Sequence, residues 1–301
     1  MSIKSTLLSV FQSKKFTMQE AYKACPDVNK NSVRARIYEN LGTVFERLDK
    51  GVYIAREQEC IVIEGNGRDL SMLKDNSIDC IIVDHPWEDK KANRGGNRNF
   101  AKYPTFQYTE EDFREKARVL KQGSFLCEIL PAENESNYDY LYQIKKMAEL
   151  AGFQYYAKVP WKKGTFVGNT GRKAKNTEDV MIFSKGKART LRADKQRGLD
   201  EQGNPTRYMS GTREMLPTCF DVQPVPKKEL ICEGEKPVEL FEQLLSYVTL
   251  EGEIVLDQYA GSGAVGVACM RKKRKCIVIE LLKEKVDKIM KRIVCERSVC
   301  S

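Results

Sequence analysis

The stretch that most constrains this chain is 254–280, IVLDQYAGSGAVGVACMRKKRKCIVIE. It reads as an apolar strand, a glycine turn, a helix, a second apolar strand and a terminal acid. Gly261 and Gly263 allow the backbone to bend sharply and approach a ligand, and the N-terminus of the following helix offers unpaired N–H groups. Glu280, closing the second strand, can accept hydrogen bonds from ribose hydroxyls. The unit predicts nucleoside binding. Gly261, Gly263 and Gly266 also match GxGxxG, a pattern that by itself admits a nicotinamide dehydrogenase. With 21 residues after Glu280, too few for the second half of such a fold, the expectation is against that reading.

From Cys60 onward, apolar runs alternate with helical stretches, the signature of a sheet with helices on both faces. Strands are expected at 60–63, 79–84, 124–130, 153–159, 180–184, 253–257 and 275–280. The fold class is therefore α/β, a doubly wound, mostly parallel seven-stranded sheet. Between Lys185 and Glu235 the rhythm fails, which predicts loops and short elements carried on the sheet.

A second motif, Asp84-His85-Pro86-Trp87, ends the strongly apolar run 79–83. The carboxyl end of a parallel strand is where open α/β sheets place ligands. The same four residues could equally be a turn initiated by Asp and Pro with a core tryptophan.

Charge is unevenly distributed. The net charge is +9, and the segment 158–228 carries 16 Lys and Arg against 7 Asp and Glu, so the rest of the chain is neutral. A basic stretch rich in Gly, Asn and Thr suits a surface that tracks phosphates, although a solvated loop has the same composition. Lys162, Lys163, Arg172, Lys173, Lys175, Arg189 and Arg192 are its candidate nucleic-acid contacts. The ten cysteines form no CxxC, and Cys80, Cys127 and Cys276 lie in apolar runs where a thiol acts as a small hydrophobe. With His85 as the single histidine, no structural metal is expected. No apolar run approaches the roughly 20 residues that span a bilayer, and the first residues lack a secretory signal, so the reading is cytoplasmic.

Residues 1–57 read as a separate unit of three short helices and a hairpin, followed by a second domain over 58–301. Leu7, Val10 and Phe11 share one helical face, and Thr17 with Glu20 is spaced as a capping box. A third helix is expected from about Ser32 to Leu41 with Val33, Ile37 and Leu41 inward, then a hairpin turning at Asp49-Lys50-Gly51. This order resembles a winged helix-turn-helix, in which the third helix enters the major groove. Asn31, Ser32, Arg34 and Arg36 would face DNA. Such modules also bind proteins, and a basic helix face is often only solvated.

Taken together, the two motifs resemble the DPPY-type tetrapeptide and the glycine-rich motif of the amino-methyltransferases that modify adenine N6 or cytosine N4. The flanks EGNGRDLSMLKDNSIDCIIVD and KPVELFEQLLSYVTLEGEIVLDQYAGSG extend the likeness. Tetrapeptide first, basic segment in the middle and cofactor motif last is the order of the family's β group. The resemblance implies S-adenosylmethionine as cofactor, with Asp257, Tyr259, Ala260, Gly261 and Gly263 around its methionine part and Glu280 on the ribose. Lys236 and Pro237 would begin the helix that completes the pocket, and Asn66 or Asp69 would stand where the family often places an acid near the cofactor's adenine.

By the same resemblance, Asp84 accepts one N–H of the target amino group, the carbonyl of residue 85 accepts the other, and Trp87 stacks on a flipped base. The chain departs from the family at His85, where proline is usual; Pro86 still biases its predecessor toward the extended conformation. A leading Asp is commoner in adenine-N6 enzymes, which favours adenine as target, and the full-length cofactor segment with the winged-helix-like start favours duplex DNA over RNA. Cytosine N4, an RNA adenine, and a DNA-binding regulator built on an inactive methyltransferase fold are the alternatives. Recognition sequence, a companion nuclease and the oligomeric state, a dimer included, stay open.

Overall fold

The computed structural model describes residues 3–11, 14–41, 44–55, 60–87, 104–163, 177–191, 196–210 and 216–300. The chain divides into two compact units, Met1–Glu59 and Cys60–Ser301.

The first unit contains α1 (Ile3–Val10), β1 (Lys15–Thr17), α2 (Met18–Ala24), α3 (Lys30–Glu39), β2 (Phe45–Asp49) and β3 (Val52–Ala55). The strands form an antiparallel sheet in the order β1-β3-β2. Thr17 and Glu20 close a reciprocal capping box, with the Glu20 carboxylate accepting the Thr17 N–H at 2.7 Å. Asn29 caps α3 by accepting the Asn31 N–H at 2.8 Å, so this helix starts two residues before Ser32. Val33 and Ile37 are buried with Leu7, Phe16, Phe45 and Tyr53, while Asn31, Ser32, Arg34 and Arg36 point outward. Two details differ from the periodicity. Val10, expected on the inward face, is 49% exposed because α1 ends there and Phe11 takes its place, stacking on Phe16 at 4.5 Å. Strand β1 has three residues, too few to show a period.

The second unit is built on β4 (Cys60–Glu64), β5 (Ile78–Val83), β6 (Leu120–Pro131), β7 (Phe153–Lys162), β8 (Thr177–Lys185), β11 (Ile254–Asp257) and β12 (Lys275–Glu280). A separate hairpin, β9 (Gln196–Leu199) with β10 (Pro205–Ser210), lies in the segment where the rhythm failed. The large sheet has the order β4-β12-β11-β5-β6-β8-β7. Its strands from β4 to β6 are parallel, and β8 runs antiparallel to both of its neighbours.

Helices cover both faces. On one, α6 (Val238–Val248), α7 (Ala264–Arg271) and α8 (Lys283–Cys300) pack Leu244, Val267 and Ile289 against Cys80 and Ile82 of β5. On the other, α4 (Glu110–Val119) and α5 (Tyr138–Leu150) pack Phe113 and Ile144 against Ile81 and Val83. Strand β5 is buried at all six positions, which is why it reads as a continuous apolar run. Its one acid, Asp79, is satisfied by Lys121 at 2.6 Å and by the Ile254 N–H at 3.0 Å.

The strand order reverses between β11 and β5. From β11 the chain passes through α7 to β12 on one side, and from β5 through α4 to β6 on the other. A crevice therefore opens at their adjacent carboxyl ends, the switch point at which such sheets bind ligands. No helix among the described residues is long and apolar enough to cross a membrane.

Candidate active site

Asp257 is the last residue of β11, and Gln258 to Gly263 turn the chain into α7. Gly261 (φ +54°) and Gly263 (φ +76°) adopt left-handed conformations that a side chain resists. Glu280, at the matching end of β12, accepts the Gly261 N–H and the Leu282 N–H, each at 2.9 Å. The loop after β4 crosses above β12, held by the Gly65 N–H on the Glu280 carbonyl at 3.0 Å. At Gly67 it meets the glycine turn so closely that a Cβ there would lie 1.8 Å from the Gln258 carbonyl oxygen.

Between this turn and the end of β5 lies a cavity of about 1080 Å³. Asp84, Asp257, Glu178 and Glu280 bring carboxylates to it, and Phe106, Tyr259 and Phe241 supply apolar wall. Phe106 sits 5.4 Å from Tyr259 ring to ring, with the Arg68 guanidinium 4.9 Å from its centre and fastened to Asp112 at 2.7 and 2.8 Å. Burial, aided by the Asp84 and Glu280 carboxylates and opposed by the Tyr259 N–H, pushes the Asp257 carboxyl up to about 8.

The tetrapeptide is pinned by its backbone. The Trp87 N–H donates to the His85 carbonyl at 2.8 Å, and the Phe106 N–H donates to the Pro86 carbonyl at 3.1 Å. The His85 carbonyl keeps a second lone pair. Its side chain is fully buried in an aromatic and ionic nest behind the loop, with its ring 4.0 Å from Tyr108 and Nε2 2.7 Å from the Tyr140 hydroxyl. That hydroxyl also accepts the Tyr108 N–H at 3.0 Å. On the other side of the ring Nδ1 lies 3.8 Å from Glu128 Oε2, beyond hydrogen-bond distance. Glu128 is itself paired with Lys116 at 2.5 Å and accepts the Tyr108 hydroxyl at 3.1 Å. Burial, then the Lys116 cation, holds the His85 imidazole well below its usual range, and the ring is neutral. The structure thus finds a use for the one tetrapeptide residue that departs from the family pattern.

Asp84 follows β5 and is 31% exposed toward the cavity. Lys236, two residues before α6, places its ammonium 2.6 Å from Asp84 Oδ2 and 3.3 Å from Glu178 Oε2. Glu178 in turn pairs with Lys163. Burial pushes the Asp84 carboxyl up while Lys236 pulls it down.

Of the residues singled out in the sequence, Asp84, His85, Pro86, Trp87, Asn66, Lys236, Asp257, Tyr259, Ala260, Gly261 and Glu280 line this one cavity. Gly263 stands just beyond as the N-cap of α7, and Pro237 as the N-cap of α6. Asp69 turns away; its carboxylate accepts the Ser71 N–H at 3.0 Å, which leaves Asn66 at the cavity. Lys162 is 48% exposed and 3.7 Å from Asp221, whereas Lys163 is committed to Glu178. Arg172, Lys173, Lys175 and Arg192 lie outside the described residues.

Arg189 binds Glu253 through both terminal guanidinium nitrogens and reaches the Asp79 carbonyl, at the edge where β5 and β11 begin, opposite to Asp84. It ties these strand starts together. Glu178, Phe106, Arg68, Tyr108 and Tyr140 carried no motif. Each meets partners far off in sequence, so only the folded chain reveals its place.

Residues 78–291 match the N6_N4_Mtase family model, described as DNA methylase. Among curated proteins, the Type II methyltransferase M.HpaI of Haemophilus parainfluenzae is 27% identical over 228 residues, covering 74% of this chain and 70% of that protein. Among solved structures, the M1.HpyAVI–SAM complex superposes with a TM-score of 0.53 at 21% identity, over 78% of this chain and 98% of that one. The PvuII DNA methyltransferase, cytosine-N4-specific, gives 0.52 at 14% identity, over 79% and 95%. The dinucleotide reading of the three glycines therefore falls, and the fold is that of these enzymes. A DNA-methylase match across well over half of the chain, on a sheet whose switch point carries both motifs, establishes that the chain belongs to the N6_N4_Mtase family of DNA methylases.

Proposed function

We propose that this chain is an S-adenosylmethionine-dependent DNA methyltransferase acting on N6 of an adenine flipped out of duplex DNA. The observation that carries the reading is the shared cavity: Asp84 and the glycine turn stand at the ends of adjacent parallel strands and face the same space. The residues present fit the cofactor. The carboxylates of Asp84 and Glu280 suit a ligand that carries ammonium and sulfonium charge, and the aromatic wall suits its nucleoside. Glu280 would hold the ribose, the turn at Tyr259, Ala260 and Gly261 the methionine part, and Asn66 the adenine side. When bound, the cofactor supplies an electrophilic methyl group.

An exocyclic amino nitrogen is a poor nucleophile because its lone pair is spread into the ring. The work left to the protein is orientation and electrostatics. Asp84 accepts one N–H and the His85 carbonyl the other, which gathers the lone pair on nitrogen and aims it into the cavity. Trp87 and Phe106 bracket the flipped base, where stacking on an aromatic is worth about 1 to 3 kcal/mol. As nitrogen gains its bond to carbon it sheds a proton, and the Asp84 carboxylate already holds that N–H. The outward residues Asn31, Ser32, Arg34 and Arg36 of α3 serve as a second grip on DNA in a winged-helix-like unit, and Lys162 with the basic segment around it tracks phosphates.

Adenine is favoured by Asp84 at the head of the tetrapeptide. Cytosine N4 is the second reading, favoured by the likeness to the cytosine-N4-specific PvuII enzyme. The test is transfer of tritium from labelled S-adenosylmethionine to DNA, followed by nucleoside analysis. Label in N6-methyl-2′-deoxyadenosine supports the reading and label in N4-methyl-2′-deoxycytidine replaces it. Asp84→Ala should abolish transfer while S-adenosylhomocysteine still binds; near-normal turnover by that variant would remove Asp84 from the chemistry.

A further inference from the structure

Lys236 stands at a position that the family resemblance assigns to the cofactor pocket, yet its ammonium is already engaged. An ammonium has three protons to give. One goes to Asp84 Oδ2 at 2.6 Å and one to the Gly234 carbonyl at 3.2 Å, and the ammonium also forms an ion pair with Glu178 Oε2 at 3.3 Å. The side chain is only 12% exposed, so water does not compete for these partners. Glu178 opens β8 at the carboxyl end of β6, beside Asp84, and is held in its turn by Lys163. The result is an alternating row of Asp84, Lys236, Glu178 and Lys163 drawn from four separate parts of the chain.

Such a row fixes a carboxylate in two respects. A carboxylate next to a single donor can rotate and exchange its oxygens; one clamped through Oδ2 by an immobile cation presents Oδ1 alone. A partly buried carboxylate facing other acids is also drawn toward its neutral, proton-donating form, which could not accept an amino N–H. The adjacent cation opposes this. We propose that Lys236 is a positioning residue for methyl transfer: anchored by Glu178 and the Gly234 carbonyl, it holds Oδ2 of Asp84 so that Oδ1 receives the target amino N–H. The inference rests on the amino-methyltransferase reading and reassigns Lys236 from holding the cofactor to orienting the acceptor.

The test compares wild type, Lys236→Met, Lys236→Arg and Glu178→Gln in the full chain. Two quantities are read: the single-turnover rate of methyl transfer to DNA, and the dissociation constant for S-adenosylhomocysteine. Lys236→Met should lower the rate about 100-fold, the scale for losing one preorganised electrostatic partner, while the dissociation constant moves less than about threefold. Lys236→Arg should recover most of the rate.

The titratable groups facing Asp84 are Lys236 and Lys163 as cations and Glu178, Asp257 and Glu128 as acids. With one cation removed, the residual rate of Lys236→Met should keep rising with pH beyond the point where the wild type levels off. Should Lys236→Met not fold, Glu178→Gln carries the same question and should lose about tenfold in rate at unchanged affinity. A dissociation constant weakened about 30-fold with the rate preserved would make Lys236 a cofactor contact and overturn the inference. So would an unchanged rate and pH profile in Glu178→Gln. A wild-type chain that transfers no label to DNA would overturn the underlying reading itself, which separates the two failures.

Discussion

Asp257 offers a quantitative check on how dry the crevice is. Its carboxyl is buried at the end of β11 with one backbone donor, and burial moves it up to about 8, against about 3.9 for an aspartate in an unfolded chain. Between those two values the folded chain holds a proton that the unfolded chain has released. Stability contributed by this proton is complete at low pH and is lost as pH rises toward the folded value. Integrating that difference from pH 6 to pH 8 gives a loss of about 2 kcal/mol from this group. Asp257→Asn keeps the shape of the neutral acid and cannot ionise, so it should lack that slope.

The assay is urea unfolding at both pH values, read by tryptophan fluorescence. Both tryptophans, Trp87 and Trp161, belong to the second unit, so the signal reports the domain that contains Asp257. Titrating groups distant from Asp257 are common to the two proteins and drop out of the comparison. Wild type should lose about 2 kcal/mol more than Asp257→Asn between pH 6 and pH 8. Equal losses would mean that Asp257 is hydrated and ionised throughout, and the picture of a desolvated crevice would be wrong.

Tyr140→Phe removes the hydroxyl on His85 Nε2 and should cost about 1 to 3 kcal/mol in the same unfolding assay, as expected for a buried polar atom left alone; a change below about 0.5 kcal/mol would deny that the hydrogen bond matters. Gly67→Ala drives a methyl into the Gln258 carbonyl and should destabilise by at least about 1 to 3 kcal/mol, with a neutral outcome placing the loop elsewhere. Replacing Arg34 and Arg36 by Ala should lower the slope of log affinity against log salt by about 1 for each phosphate no longer bound. An unchanged slope would take α3 off the DNA.

The sheet was legible because its strands are buried on both faces and so appear as unbroken apolar runs; 78–83 is the clearest case. Direction was not legible. The run inside β8 looks like those of the parallel strands, and only pairing with β6 and β7 shows that it points the other way. The glycine turn and the tetrapeptide announced themselves because each packs its chemistry into a few consecutive residues.

The Asp84–Lys236 contact spans 152 positions and obeys no local period, so nothing in either segment could reveal it. The place of Arg189 was hidden for a related reason: charge along a chain says nothing about which edge of a sheet a residue reaches, and a guanidinium between two strand starts is as basic as one on a phosphate. His85 looked like a defect in sequence and becomes an anchored, neutral ring once Tyr108, Tyr140 and Glu128 surround it.

Everything proposed for this site depends on Asp84 presenting an adenine amino group to the methyl donor held at the glycine turn. Expressing the chain in a host free of DNA methylation, and mapping modified bases at single-nucleotide resolution, tests that step without intermediates. N6-methyladenine should appear at one recurring sequence with wild type and be absent with Asp84→Ala. Modified adenine persisting in the Asp84→Ala strain, or no modified base with wild type, would contradict it.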